Sequence, residues 1–81
     1  MNTYEIKLII DARDMTEEWI DKIKALGCFE IDSEKDGIHA YCAFQETVAS
    51  PVVAIAGIVG KVGMAGFKVR GIIWHAEELH A

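Results

Sequence analysis

The sequence is poor in proline, cysteine and long apolar runs, and each shortage excludes a class of protein. The sequence has one proline in 81 residues and therefore no proline-rich linker, and it contains no low-complexity tract. Two cysteines are too few for the disulfide framework of a small secreted domain, and the N-terminus has no basic segment typical of a signal peptide. The longest apolar run, Val52 to Gly60, is much shorter than the roughly 20 residues of a membrane span. We therefore expect a cytoplasmic protein without a membrane partner.

Basic residues are also scarce. Eight Lys and Arg stand against thirteen Asp and Glu, which gives a net charge of −5. Nucleic-acid binding depends largely on Lys and Arg that neutralise phosphates. The composition therefore disfavours a nucleic-acid partner, and for the same reason an anionic membrane surface.

Hydrophobic residues make up 52% of the chain, which predicts a folded domain. Residues 4–11 alternate between apolar and polar types, which predicts a strand with one buried face. Residues 15–26 place apolar side chains at helical spacing. Asp14 or Thr16 is the expected N-cap of this helix, and Gly27 is expected to end it.

Four further elements follow along the chain. Strands are predicted at 29–32 and 38–45, joined by a turn containing Asp36-Gly37. Ser50-Pro51 is expected to open a second helix that runs to about Met64. A last strand is predicted from about 67 to 74, and the polar residues 75–81 are expected to be a frayed tail.

The order β-α-β-β-α-β predicts one α+β domain over residues 1–81, the ferredoxin-like plait, in which two helices cover one face of a four-stranded antiparallel sheet. The segments Met15-Thr16-Glu17-Glu18, Ala25-Leu26-Gly27-Cys28 and Ala65-Gly66-Phe67-Lys68-Val69 resemble small plait proteins of actinobacteria and their phages. That resemblance implies the fold and brings no assigned function with it, because this fold hosts many unrelated activities.

The second helix is apolar on nearly all sides, so it has more apolar surface than one thin domain can bury. Its stripe toward the sheet is expected to comprise Val52, Ile55, Val59 and Val62. The opposite face is the first candidate contact surface: Val53, Gly57, Gly60, Lys61 and Met64. Two structural alternatives remain open, namely that the small residues pack against the first helix or that the glycines end the second helix early.

The uncovered face of the sheet is the second candidate contact surface. Its predicted members are Ile9, His39, Tyr41, Arg70, Ile72 and Trp74. Tyr, Trp and Arg often anchor protein interfaces. The segment 39–44 is also similar to the aromatic strand of the RNA-recognition motif, although His39 stands where an aromatic ring is expected. Ordinary cross-strand pairing is the structural alternative.

The sequence contains no motif that indicates a catalytic residue, a metal site or a cofactor. His75 and His80 are too far apart for one helical face. Residues 11–15 supply Arg13 but no glycine for an anion-cradling loop. We therefore expect a non-enzymatic protein-interaction module, either a homodimer or a small phage-type inhibitor or adaptor that binds a larger protein. A small-ligand-binding regulatory domain and a weak RNA-binding domain are the alternatives.

Overall fold

The chain folds into six elements in the predicted order. The computed structural model describes residues 1–13 and 15–79, and for residues 74–79 it describes the backbone only. The elements are β1 (Asn2–Asp11), α1 (Glu17–Ala25), β2 (Glu30–Ser33), β3 (His39–Val48), α2 (Pro51–Met64) and β4 (Val69–Leu79). The four strands pair antiparallel in the order β2-β3-β1-β4. This is the ferredoxin-like α+β plait that the sequence predicts.

The alternation of β1 places one apolar row on the covered side of the sheet. Tyr4, Ile6, Leu8 and Ile10 are each at most 5% exposed. On β3 the partners of Ile6 and Leu8 are Phe44 and Cys42, which are also buried. Because β1 lies between β3 and β4, its buried row forms the centre of the core.

Helix α1 begins directly after Thr16, one of its two predicted N-cap residues. The Oγ1 of Thr16 accepts a hydrogen bond from the backbone N–H of Trp19 at 3.2 Å. Asp14, the other candidate cap, lies outside the described residues. Ile23 is fully buried against the sheet, and Gly27 follows the helix with a φ of +107°, a conformation that glycine adopts without strain.

Helix α2 begins as predicted but is rotated relative to the prediction. The Oγ of Ser50 accepts from the N–H of Val53 at 3.4 Å, and Pro51 is the first helical residue. The buried residues of α2 are Ala54, Ile58 and Val62. Of the predicted stripe, Val62 is buried and Ile55 and Val59 pack against the core, as expected, whereas Val52 is 73% exposed. Residues 52–60 contain no charged side chain that would set the rotation of the helix, so the pattern alone could not give the centre of the buried stripe.

Strand β4 is longer than predicted. Residues 75–79, expected to belong to a frayed tail, continue the strand, with Thr3 paired to Leu79 and Tyr4 to Glu78. Pairing with β1 sets this length, which the polar composition of the segment did not indicate. Residues 80 and 81 lie outside the described part of the chain. Neither of the two described helices has the length and apolarity needed to cross a bilayer.

Candidate functional site

The outer face of α2 is an exposed surface without charge. It consists of Val52, Val53, Ala56, Gly57, Gly60, Gly63 and Met64, all of them exposed. Val53 is 53% exposed and Met64 is 91% exposed. A surface helix normally turns polar residues toward water. This face instead presents only apolar and small residues, and Val53, Gly57, Gly60 and Met64 are exposed on it as predicted from the sequence.

The three glycines of this face have no packing partner within the described domain. A Cβ atom built on Gly57, Gly60 or Gly63 would meet no atom within 4 Å. None of the three has a positive φ. Helix α2 also continues past all of them to Met64. Both structural alternatives for these glycines, packing against α1 and early helix termination, are therefore wrong.

Lys61 borders the outer face of α2 and does not belong to it. Its Nζ lies 3.4 Å from Oε1 of Glu46 on β3 and 5.9 Å from the centroid of the Phe44 ring. The side chain therefore reaches back to the sheet. This geometry removes the one cation that the sequence had assigned to the contact surface.

The predicted surface on the open sheet face is divided. Ile9 pairs with Tyr41, and the adjacent pair joins Asp11 to His39, so the first three predicted members lie together. Ile72 pairs with Leu8, which belongs to the covered side. The strand partner of Trp74 is Ile6, and the Trp74 side chain lies outside the described part of the structure. Since paired residues share a face, the irregularity between Ile9 and Ile10 moves Ile72 away from Tyr41.

Tyr41 has acidic neighbours. Interaction of its hydroxyl with the carboxylate of Glu34 raises the pKa of Tyr41 above its usual value. The charge of Asp36 acts in the same direction, and Asp32 is the β2 partner of Tyr41. Carboxylates around the ring oppose the approach of phosphates. The structure thus gives no support to RNA stacking on this face.

A cleft of about 600 Å³ lies between the end of β1, the first turns of α1 and the turn before β4. We call it the basic cleft, and its lining includes Asp11, Arg13, Glu18, Trp19, Lys22, Phe67 and Lys68. Trp19 and Phe67 pack edge to face, with ring centroids 5.3 Å apart. Sequence reasoning missed this cleft, because its residues come from three segments and form no motif.

Asp11 is the half-buried anchor of the basic cleft. One of its oxygens lies 2.7 Å from the Arg13 guanidinium and 3.2 Å from that of Arg70. The backbone N–H of Arg13 also donates to Asp11 at 3.2 Å. These bonds, those from Arg13 foremost, hold the pKa of Asp11 well below its usual range. Arg70, assigned from the sequence to a protein-contact face, thus serves to tie β4 to β1.

This depressed pKa predicts an acid sensitivity. An unfolded Asp has a pKa of about 3.9, so the stability that Asp11 supplies is complete above about pH 4. It is lost as the pH falls through the lower pKa of the folded state. Asp11→Asn is expected to lower the urea midpoint at neutral pH and to flatten its decline below about pH 4. Asp21→Asn, which removes an exposed carboxylate of α1, is the control. An unchanged acid slope in Asp11→Asn would contradict the assignment.

Both cysteines, Cys28 and Cys42, are buried and free. The Sγ of Cys28 donates to the carbonyl oxygen of Glu30 at 3.2 Å, and interaction with the neighbouring Cys42 thiol lowers the pKa of Cys28. Within residues 1–13 and 15–73, whose side chains the structure describes, no cluster of three or more potential ligands is placed to hold a metal ion. The side chains of His75 and His80 are outside the described part.

Two surfaces therefore carry features that folding alone does not require. The outer face of α2 exposes glycine and apolar residues, and the basic cleft gathers cations beside two aromatic rings. Compared with protein-family models, with curated proteins and with solved structures, the chain matches none of them, so its function has to be inferred from these surfaces.

Proposed function

We propose that the chain is a non-enzymatic protein-interaction module whose contact surface is the outer face of α2. The observation that carries the proposal is the open space around Gly57, Gly60 and Gly63. Each helical glycine costs roughly 1 kcal/mol relative to alanine. Within the described domain no atom packs against these glycines to offset that cost. A partner backbone that approaches α2 closely would account for residues that are otherwise a cost to the fold.

A second copy of the chain is the partner that we favour for the outer face of α2. The protein carries a net charge of −5, which opposes association through most of its surface. The outer face of α2 has no charged member, so two copies can meet there without bringing like charges into contact. Small residues along both helices would let the two backbones approach.

The size of the face predicts weak association. The 14 residues of α2 span about 21 Å at 1.5 Å per residue. One such helix face offers less than the roughly 800 Å² per partner of a standard stable interface. The expected dimer is therefore concentration-dependent and rapidly exchanging. A larger protein with an apolar groove would bury more of the outer face of α2. An inhibitor or adaptor would bind its target protein in this way.

A charge placed on the face should abolish self-association. Gly60→Glu adds a carboxylate at an exposed position with no neighbouring atoms, so the fold is expected to persist. In the dimer the same change would bury two carboxylates close together, which is strongly unfavourable. Sedimentation velocity over a range of concentrations should show a rising mass for the wild type and a constant monomer for Gly60→Glu.

Ala25→Glu provides the matched control for this experiment. Ala25 is an exposed small residue of α1, so the variant adds the same charge on a different helix. It should associate like the wild type apart from a small effect of net charge. If the wild type remains a monomer at the highest concentration, the homodimer is excluded. If Ala25→Glu and Gly60→Glu weaken association equally, net charge and not the α2 face is responsible.

A further inference from the structure

We infer that the basic cleft binds a small organic anion with an aromatic body. Positive charge is concentrated at this cleft. Only eight residues of this acidic chain are Lys or Arg. Arg13, Lys22 and Lys68 line the cleft, and Arg70 reaches its Asp11. Among the described residues that line the cleft, the carboxylates are those of Asp11 and Glu18. The cleft is thus locally cationic on a protein that is otherwise anionic.

The two lysines are the cations available to a ligand. The charge of Asp11 is already met by two guanidinium groups. Among the described residues, neither Lys22 nor Lys68 makes an ion pair. Glu18 and Lys22 stand four residues apart on α1, yet the Nζ of Lys22 lies over the Phe67 ring, 5.4 Å from its centroid. An incoming anion would therefore meet two ammonium groups that no described carboxylate neutralises.

The aromatic rings of Trp19 and Phe67 indicate the chemistry of the uncharged part of the ligand. Trp19 and Phe67 meet edge to face and leave an apolar surface beside the lysines. The volume of about 600 Å³ falls within the range usual for small-molecule sites. A flat ring can pack against this apolar surface while its phosphate or carboxylate meets Lys22 and Lys68. The ligand class is therefore an aromatic anion no larger than a mononucleotide.

The site is held in place by backbone bonds, so it does not need a ligand to form. The N–H of Asp11 donates to the carbonyl oxygen of Lys68 at 3.0 Å, which joins the end of β1 to the entry of β4. The N–H of Phe67 donates to the carbonyl oxygen of Val62 at 3.3 Å, which fixes the turn after α2. The cations and the ring thus sit on bonded segments of the fold.

The test uses amide NMR spectra of the whole chain with four probes. Adenosine 5′-monophosphate and indole-3-acetate are aromatic anions with a phosphate and a carboxylate respectively. Adenosine lacks the charge, and inorganic phosphate lacks the ring. We expect saturable shifts at the Trp19 indole N–H and at residues 66–68 with at least one aromatic anion. The anion that binds more tightly identifies the preferred acidic group. Equal binding of adenosine, or of inorganic phosphate, would overturn the inference.

Paired lysine variants separate the cleft from general attraction of charge. Lys22→Gln combined with Lys68→Gln should weaken binding of the aromatic anion at least tenfold. Lys24→Gln combined with Lys35→Gln changes net charge equally at exposed sites outside the cleft, and should leave the affinity within a factor of two. If neither anion shifts the wild-type spectrum, or if both double variants bind like the wild type, the cleft is not the site. Preserved spectral dispersion verifies that each variant is folded.

Discussion

Ile58→Ala is expected to lower the free energy of unfolding by about 2–5 kcal/mol, because it removes buried methyl groups and leaves a cavity. Ile58 is fully buried and lies in the middle of α2. A chain of 81 residues has a total stability of about 4–12 kcal/mol at the usual value per residue. The variant should therefore lose a large share of its stability. Urea unfolding followed by circular dichroism measures the loss.

Val52→Ala is the matched control on the same helix. Val52 is 73% exposed, so its truncation should change stability by no more than about 0.5 kcal/mol. The pair tests the rotation of α2 directly, since the sequence pattern alone had placed Val52 toward the sheet. A larger loss from Val52→Ala than from Ile58→Ala would show that the helix presents its other side to the core.

The triple replacement of Gly57, Gly60 and Gly63 by alanine is expected to have the opposite effect. Each added methyl group meets open space. The helix gains roughly 1 kcal/mol at each interior position, so we expect the variant to be about 2–3 kcal/mol more stable than the wild type. At about 4–8 °C per kcal/mol for a domain of this size, the melting temperature should rise by more than 8 °C.

The same variant should also self-associate more weakly than the wild type, as measured by sedimentation velocity. Three methyl groups along the face hold two helix backbones apart, so the dimer should weaken while the monomer becomes more stable. Gly66→Ala is the contrasting control, because its φ of +98° disfavours any residue with a Cβ and the change should destabilise the chain. A triple variant less stable than the wild type would contradict the open surroundings of these glycines. Undiminished association would contradict close helix contact.

The parts of the fold that the sequence predicts are those with a local physical cause. Alternation along β1 sets its buried row, because side chains of a strand point to opposite faces in turn. Ser50 and Pro51 define the start of α2, and Gly27 the end of α1, through hydrogen bonding and backbone conformation. Each of these needs only a few neighbouring residues, so it can be inferred without knowledge of tertiary contacts.

The features that escaped prediction depend on contacts between distant segments. The rotation of α2 follows from how Ala54, Ile58 and Val62 fit the sheet, and an apolar helix gives no pattern from which to infer it. The irregularity of pairing near Ile9 changes the face on which Ile72 lies. No residue type announces such a shift, although Gly71 lies opposite Ile9, where an added Cβ would come within 3.3 Å of the Ile9 side chain.

The outer face of α2 and the basic cleft also differ in how far the sequence predicts them. Most of the outer face of α2 could be predicted, because it is one continuous helix and its members recur at helical spacing. The basic cleft could not, because Trp19 and Lys22 of α1 meet Phe67 and Lys68 only after β4 has paired with β1. A ligand site assembled from such separated residues becomes visible only in the folded chain.

The position of β1 also determines how the chain can reach its folded state. Its neighbours in the sheet lie far away in sequence, with Asn2 paired to Val48 and Thr3 to Leu79. Only β2 and β3 can pair early, through the turn in which the Asp36 carboxylate accepts from the N–H groups of Ile38 and His39. Ordering long loops costs entropy before their contacts form. We therefore expect insertion of β1 between β3 and β4 to be the slow, cooperative step, after which the core closes all at once.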